Sequence, residues 1–448
     1  MDDAPFDREA VDAMGHEDEV VVRATGLSTM GEAGASQSCL WAGWRDEDRA
    51  RVERAYEAGL VQIDRCSGDD DGIMSAHDHR AGALLQSMAS ELAARGELET
   101  VPVERGTVEV KYDDRDLGWI RSGFGWLLEK LDIGLFDWTP PAEEPVEIAD
   151  DARIAILGDW GSGRYGAPSC ATTVATDPIG FDVVLHLGDV YYSGTTKEVR
   201  SNFLRYWPWT TTARTDHVLF RACNSNHEMY SGGRPYVDLT LREFDQPSSA
   251  FALQNEHWLF VGLDTAYDEG HLAEGQVDWL HRLLERSAPR QVVLFSHHPP
   301  FSHFAPVKAS LVAEIEEAVR EGHHGHRIHA WYWGHEHLGM VFEPDDRWGV
   351  HGRCVGHSGF PYTREPTLRT FGQRPTIDAI PDEWLVRVPR GDAPAALVVD
   401  GPNPFVSEDV AKQLRYGPNG FMTIECDGDR LNERLLSADG RCLWEGTT

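Results

Sequence analysis

Five short apolar runs in the middle of the chain each stop at residues that can bind a metal. The runs consist of β-branched, aromatic and aliphatic residues bounded by glycine, proline or polar clusters, which is typical of buried strands in an α/β sheet. They cover residues 154–157, 183–187, 218–223, 292–295 and 328–333. Segments with helical character, such as 274–286 and 308–321, lie between them. The pattern therefore predicts an α/β fold.

Polar side chains follow every one of these predicted strands. In open α/β sheets, loops beyond the carboxyl ends of strands aim side chains into one crevice without breaking the hydrogen bonds between strands. The candidate metal ligands are Asp159, Asp189, Asn226, His297, His335 and His337. Carboxylates, imidazoles and a carboxamide suit divalent or trivalent first-row metals, and there is no thiolate cluster typical of structural zinc. Two ions about 3.5–4 Å apart can clamp the attacking and leaving oxygens of a phosphoryl group, which predicts phosphate ester hydrolysis.

The ordered blocks around these residues resemble those of the calcineurin-like metallophosphoesterases and, more narrowly, of their purple acid phosphatase branch. The blocks are Gly158-Asp159-Trp160-Gly161, Gly188-Asp189-Val190-Tyr191-Tyr192, Asn226-His227-Glu228, Leu294-Phe295-Ser296-His297 and Gly334-His335-Glu336-His337. Two details favour that branch: Gly161 stands where most of the superfamily has histidine, and Tyr192 comes three residues after Asp189. The resemblance covers residues 151–340 and implies a two-sheet β-sandwich flanked by helices. Predicted strands at 342–359 and 421–436 would complete the second sheet.

Carried over residue by residue, the resemblance implies a dinuclear metal site. The first metal would bind Asp159, Asp189, Tyr192 and His337, and the second would bind Asp189 as the bridge together with Asn226, His297 and His335. A phenolate from Tyr192 would favour ferric iron at the first position, with iron, zinc or manganese at the second. His227 would bind no metal and would donate a proton to the leaving alkoxide or stabilise charge, while a metal-held water or hydroxide attacks in line.

Two positions in these blocks leave a structural question open. Ser225 precedes Asn226 where the family usually has glycine, and a positive φ there would strain the serine. In the pair Tyr191-Tyr192 either ring can turn inward. The family spacing selects Tyr192 as the ligand and leaves Tyr191 as a packing residue.

Three residues outside the ligand set are candidate phosphate contacts. Arg234 follows the pair Gly232-Gly233 and could fork onto phosphate oxygens, or it is a surface arginine in a flexible turn. His298 and His303 lie in the proline-rich loop after the fourth block. They could contact the substrate phosphate, or they are solvated loop histidines.

The first third of the chain is predicted to be an accessory region. Residues 1–150 contain 34 acidic and 14 basic side chains, so they carry most of the net charge of −33. A Pro/Glu stretch at 140–145 predicts a linker between residues 1–145 and a catalytic domain at 150–448. Five tryptophans and a predicted helix at 80–95 indicate a packed element. Docking on the catalytic domain, an independent module and an acidic solubilising extension are the alternatives.

Composition limits the partners and the compartment. The acidic balance argues against nucleic acid as the main partner, because Lys and Arg patches bind phosphate backbones; a small phosphorylated substrate is expected instead. The sequence contains no apolar stretch long enough to span a membrane, and the start Met1-Asp2-Asp3-Ala4 is unlike a secretory signal. We therefore expect a cytoplasmic protein. The proline-rich region 364–408 is expected to form long loops.

The leading hypothesis is a dinuclear metal phosphomonoesterase, similar to an acid phosphatase. A phosphodiesterase or nucleotide pyrophosphohydrolase of the same superfamily is the alternative within catalysis, although those relatives mostly keep the histidine that Gly161 replaces. A non-catalytic adaptor with a phosphatase fold is a third hypothesis. Such an adaptor would be expected to have lost ligands, and every block here retains its own.

Overall fold

The computed structural model describes residues 135–448, apart from gaps at 210–217, 269, 274, 304–306, 321–327, 347–348, 373–383 and 407, together with residues 83, 87, 100–102 and 108–110. The chain divides into two compact units, one made of residues 1–100 and 110–133 and the other of residues 101–109 and 134–448. Nearly all of the predicted accessory region lies outside the described residues; of the helix predicted at 80–95, Ala83 and Ser87 are described, and both are helical. The extent and role of the accessory region stay predictions.

Seventeen strands are described. They are β1 (Thr100–Pro102), β2 (Val108–Val110), β3 (Val146–Glu147), β4 (Arg153–Leu157), β5 (Val183–His186), β6 (Leu219–Ala222), β7 (Phe251–Gln254), β8 (Trp258–Gly262), β9 (Gln291–Ser296), β10 (Ile328–Trp333), β11 (Gly339–Phe342), β12 (His351–Val355), β13 (Leu385–Val388), β14 (Ala396–Val399), β15 (Gly420–Asp427), β16 (Arg430–Ser437) and β17 (Cys442–Thr447). All five strands predicted to carry ligands are present. Their bounds differ from the prediction by two residues at most.

Helices join many of these strands. They are α1 (Ala167–Ala175), α2 (Thr196–Glu198), α3 (Asn226–Met229), α4 (Gln276–Arg286), α5 (Ala309–Arg320), α6 (Arg364–Thr370) and α7 (Val410–Arg415), with π-helical segments at Val199–Leu204 and Tyr236–Leu241. Helices α4 and α5 are the two helical segments expected at 274–286 and 308–321. None of the helices in the described part of the chain is long and apolar enough to cross a lipid bilayer.

Two mixed sheets form the centre of the fold. The larger has the order β13-β14-β11-β12-β10-β9-β8-β7-β3, and the smaller has the order β17-β16-β15-β4-β5-β6. Within them, β8, β9, β10 and β12 run parallel to one another, as do β4, β5 and β6. Because parallel strands end at the same edge of a sheet, the loops that follow β4, β5, β6, β9 and β10 can meet.

Side chains of the strands alternate between the space separating the two sheets and the helical layers outside. In β4, Ile156 packs in the core between the sheets, whereas Leu157 belongs to the cluster that includes α1. On the other side, Leu283 of α4 and Ile315 of α5 are fully buried in the cluster that covers the nine-stranded sheet. Strands buried on both faces explain the near-continuous apolar runs in the sequence. The predicted two-sheet sandwich flanked by helices is confirmed.

The C-terminal part of the chain both confirms and corrects the sequence analysis. The expected hairpin is formed by β15 and β16, which pair from Gly420 with Ser437 to Asp427 with Arg430. The expectation of long loops over 364–408 is wrong, because this region contributes α6, β13 and β14. In this region Nε of the buried Arg364 forms a salt bridge with Oδ1 of Asp400 at 2.6 Å. The high proline content of the sequence gave no indication of this buried ion pair.

Candidate metal centre

Four of the predicted ligands lie in the left-handed region of backbone conformation. The φ angle is 53° at Asp159, 77° at Asp189, 70° at His335 and 53° at His337. Residues other than glycine adopt this region at a cost of about 1–3 kcal/mol each, and they keep it only where the surrounding structure holds them there. Strain concentrated at four residues of one cluster is typical of a functional site.

Glycines beside the ligands allow the loops to approach one another. At Gly188, where φ is 99°, a Cβ atom would lie 2.7 Å from Cβ of Ser225 and 2.9 Å from Nδ1 of His297. At Gly334 a Cβ atom would lie 2.5 Å from Oδ2 of Asp159. Only glycine leaves room for these contacts, so the Gly-Asp and Gly-His pairs of the sequence are steric requirements of the cluster.

A first group of donors consists of Asp159, Asp189 and His337. Their ligand atoms all lie within 4.8 Å of one another, and Nε2 of His337 is 3.4 Å from Oδ1 of Asp159. All three residues are buried. The backbone N–H of His335 donates to Oδ2 of Asp159 at 2.8 Å, which ties the loop after β10 to the loop after β4. The first group therefore spans both sheets.

The hydroxyl of Tyr191 belongs to this group, whereas the sequence analysis expected Tyr192. It lies 2.8 Å from Oδ2 of Asp189 and 2.7 Å from Nε2 of His337. Backbone hydrogen bonds from the N–H of Gly161 to the carbonyl oxygen of Asp189 at 3.1 Å, and from the N–H of Tyr191 to that of Gly161 at 3.0 Å, pair Val190 with Gly161. This pairing holds the backbone of Tyr191 beside the loop after β4, and its hydroxyl also lies 3.3 Å from Oδ1 of Asp159. The half-buried ring of Tyr192 instead lies 6.1 Å from that of Phe360.

A second group of donors surrounds His297. Its Nε2 lies 2.8 Å from Oδ1 of Asn226, 3.2 Å from Nδ1 of His335 and 3.2 Å from Oδ1 of Asp189. Its Nδ1 donates to the carbonyl oxygen of Leu187 at 2.9 Å. Because that carbonyl can only accept, the neutral ring carries its hydrogen on Nδ1 and presents a lone pair on Nε2 to the group.

The carboxylate of Asp189 joins the two groups. Its Oδ2 accepts the hydroxyl of Tyr191 in the first group, and its Oδ1 faces His297 in the second. Oδ1 is buried and has no hydrogen-bond partner within the described part of the chain. A buried carboxylate oxygen without such a partner, placed among imidazole nitrogens and an amide oxygen, fits a ligand that bridges two cations.

The electrostatics of the cluster also fit bound cations. Burial and the neighbouring Asp189 carboxylate raise the pKa of Asp159 well above its usual range, and the same causes raise the pKa of Tyr191. Burial would raise the pKa of Asp189 too, but His227 and His297 hold it well below its usual range. Burial lowers the pKa of His297 to about 4, so this ring is neutral at pH 7. Crowded acidic groups beside neutral imidazoles are stabilised by positive ions.

His227 lies beside both groups as the second residue of α3. Its Nδ1 donates to the carbonyl oxygen of Tyr192 at 2.6 Å, and its ring centroid is 4.6 Å from that of Tyr191. Its Nε2 lies 3.8 Å from Oδ2 of Asp189 and belongs to neither donor group among the described residues. This is a position for a side chain that acts near the donors without being one of them.

Ser225 is unstrained, so the strain considered from its sequence position is not observed. Its φ is −139°, and it caps α3 by accepting the backbone N–H of His227 at 3.2 Å. The same hydroxyl accepts the N–H of Asp189 at 3.1 Å and donates to the buried carboxyl of Glu228. Burial, followed by the Asp189 charge, raises the pKa of Glu228 to about 8. Ser-x-x-Glu before a helix is a capping signal from which this contact could have been predicted.

The three candidate phosphate contacts are placed very differently. His298 is buried in the second group, with its ring centroid 4.9 Å from that of His335 and its Nδ1 2.9 Å from Oγ1 of Thr265. The side chain of Arg234 is exposed. Nε2 of His303 donates to the carbonyl oxygen of Pro394 at 2.7 Å, and the ring belongs to neither donor group among the described residues. The structure thus gives no support to a substrate contact by His303.

The fold is an α/β domain of two sheets with outer helices, and beyond its parallel strands lie carboxylates and imidazoles that could hold metal ions. Residues 152–339 match the family model described as calcineurin-like phosphoesterase. The matched residues contain both donor groups. The resemblance to the calcineurin-like phosphoesterases found in the sequence is confirmed. A sequence comparison with curated proteins finds no significant match.

Several solved structures are similar to the chain. A purple acid phosphatase from yellow lupin (Lupinus luteus) seeds is 13% identical over 69% of this chain and 55% of its own, with a TM-score of 0.45. A Plasmodium protein described as the anchor in the inner membrane complex is 11% identical over 66% of this chain and 88% of its own, with a TM-score of 0.45. A dimetal phosphatase from Danio rerio is 14% identical over 68% of this chain and 99% of its own, with a TM-score of 0.40.

Replacing Ser225 tests its part in the hydrogen bonding beneath Asp189. Ser225→Ala deprives the buried Glu228 carboxyl of a donor, so the free energy of unfolding should fall by about 1–3 kcal/mol in the metal-free protein. Urea titration measures this change. Ser201→Ala, which removes a half-buried hydroxyl that donates to its neighbour Asn202, serves as the control and should change stability much less. Equal stability of the two variants would contradict this role.

Proposed function

We propose that this protein hydrolyses phosphate monoesters at a centre of two metal ions. The observation that supports the proposal most strongly is the placement of Asp189, whose two carboxylate oxygens face two separate groups of donors. A bridging carboxylate suits a pair of cations about 3.5–4 Å apart, the arrangement that stabilises both oxygens of an in-line displacement. The match of residues 152–339 to calcineurin-like phosphoesterases, and the groups of residues there that could hold metal ions, also support the proposal.

The proposed ligands follow from the two donor groups. The first cation would bind Asp159, Asp189, Tyr191 and His337, and the second would bind Asp189, Asn226, His297 and His335. Tyr191 takes the place given to Tyr192 from the sequence, because its hydroxyl is the one that contacts Asp189 and His337. His298, buried beside His335, and Arg234, exposed in the loop after α3, remain candidate phosphate contacts.

The proposed reaction divides its roles between the bound cations and the side chains that surround them. Two bound cations would supply a deprotonated water as the nucleophile and neutralise charge on the phosphoryl oxygens. Asn226 contributes an oxygen without adding negative charge. His227, whose Nδ1 is held by the Tyr192 carbonyl, would in its doubly protonated form donate the Nε2 proton to the leaving alkoxide. The ester P–O bond breaks, the alcohol leaves with that proton, and the oxygen of water stays in the phosphate.

We further propose that the centre is of the purple acid phosphatase type, with ferric iron in the first position and iron, zinc or manganese in the second. Gly161 supplies no imidazole, and a phenol enters the first group instead. A phenolate is a strong anionic donor for a trivalent ion, and such a charge would reverse the upward pKa shift that burial and two carboxylates impose on Tyr191. The alternative is a phosphodiesterase, and the activity test below distinguishes it from a monoesterase.

Replacing Asp189 tests the bridge directly. The wild-type protein should contain two metal ions per chain and hydrolyse p-nitrophenyl phosphate faster than the bis ester, and chelation should abolish both reactions. Asp189→Asn should lower kcat/KM by roughly 10³-fold and reduce the metal content, because the amide cannot bridge two cations. Metal analysis and steady-state kinetics measure these effects.

The matched control is Asp278→Asn, which changes an exposed aspartate in the first turn of α4 and should leave kcat/KM within about twofold. Preference for the bis ester would replace the monoesterase proposal with a diesterase. A wild-type protein that binds no metal, or cleaves neither ester, would contradict the proposed function.

Visible absorption spectra of Tyr191 and Tyr192 variants show which of the two tyrosines is the metal ligand. In protein loaded with ferric iron, a phenolate ligand produces a visible charge-transfer band. Tyr191→Phe should abolish this band, and Tyr192→Phe should retain it, because only Tyr191 has its hydroxyl among the first donors. The reverse result would restore Tyr192 as the ligand. A colourless but active wild-type enzyme would reject ferric iron and leave hydrolysis intact.

A further inference from the structure

We propose that Tyr230 is a positioning residue that fixes the side-chain amide of Asn226 with its oxygen toward the second cation. The inference rests on the proposed function, because it concerns one ligand of that centre. Tyr230 lies outside the five sequence blocks that carry the resemblance. Its effect on the reaction would pass through Asn226, so it is not itself a catalytic residue.

The single turn of α3 brings the two side chains together. Tyr230 follows the last residue of α3, and its backbone N–H donates to the carbonyl oxygen of Asn226 at 2.9 Å. Residues four apart in a helical turn lie on the same face. The side-chain Nδ2 of Asn226 donates to the hydroxyl oxygen of Tyr230 at 2.9 Å. The amide is therefore held at its nitrogen end.

The other end of the same amide faces the donor group. Oδ1 of Asn226 lies 2.8 Å from Nε2 of His297, the nitrogen that also approaches Asp189. A carboxamide has an oxygen that accepts and a nitrogen that only donates, while its two orientations have nearly the same shape. Packing alone discriminates weakly between them. In the observed orientation Tyr230 accepts from Nδ2, which holds the nitrogen away from the donor group and leaves the oxygen inward. The opposite orientation would direct an NH₂ group at a cation.

The position of Tyr230 allows its hydroxyl to be removed without disturbing the packing of its ring. The side chain is half-buried at the edge of the cluster, and its ring centroid is 5.0 Å from that of His227. Phenylalanine keeps the ring and this contact but cannot accept a hydrogen bond. Loss of a group that orients a metal ligand typically lowers metal affinity by about 10–100-fold.

Titration of the metal-free full-length protein with Zn²⁺, followed by calorimetry, tests the inference. Tyr230→Phe should weaken the second binding event by about 10-fold or more and leave the first within about twofold. Activity lost at limiting Zn²⁺ should return when Zn²⁺ is in excess, since the chemistry of the filled centre is unchanged. Tyr206→Phe removes the hydroxyl of a tyrosine that is 36% exposed and should change neither event.

A double-mutant cycle with Asn226→Asp distinguishes orientation from any other effect of the phenol. A carboxylate has two equivalent oxygens and needs no selection, so Tyr230→Phe should change the second affinity by less than about twofold in that background. An equal loss in both backgrounds, or a Tyr230→Phe protein with unchanged affinity, would overturn the inference alone. A wild-type protein that binds only one Zn²⁺ would overturn the proposed two-metal function as well.

Discussion

The burial of one carboxylate, that of Asp189, between two groups of donors is the constraint on which the site depends. A buried charge is costly unless it is paired and hydrogen-bonded. Here the backbone N–H of Asp189 donates to Ser225, and one carboxylate oxygen accepts from Tyr191. The other lies against His297 and has no hydrogen bond to any described residue. The protein thus satisfies this residue only in part. A pair of cations would supply the remaining stabilisation, which links metal binding to the stability of the loops.

The sheet architecture explains why such a cluster can exist. Parallel strands within each sheet end at the same edge, and the loops that follow them bring together residues nearly two hundred positions apart, such as Asp159 and His335. The cost appears in the backbone, where Asp159, Asp189, His335 and His337 all have positive φ. Glycines before them, such as Gly188 and Gly334, provide the space for close loop contacts. The rigid sheets and their buried cores hold this strained geometry in place.

Much of this arrangement could be predicted from the sequence, and the exceptions have physical causes. Buried strands and their terminal ligands produce a strong pattern, so β4, β5, β6, β9 and β10 were predictable. The spacing along the sequence selected Tyr192, whereas in the folded chain residues 189–191 bond to Gly161 and the hydroxyl of Tyr191 contacts Asp189; such tertiary contacts are not visible in one sequence. The secondary structure in 364–408 was missed because buried pairs such as Arg364 with Asp400 form only in the folded chain. The role of Ser225 was present as a capping signal.

The central claim is that Asp189 bridges two cations, and a crystal structure of the metal-loaded protein with anomalous scattering at the metal absorption edges tests it most directly. The account predicts two anomalous peaks about 3.5–4 Å apart, one on each side of the Asp189 carboxylate. The peak beside His337 should also contact the hydroxyl of Tyr191, and the other should contact His297 and the amide oxygen of Asn226. A single peak, or two peaks that do not share Asp189, would contradict the account.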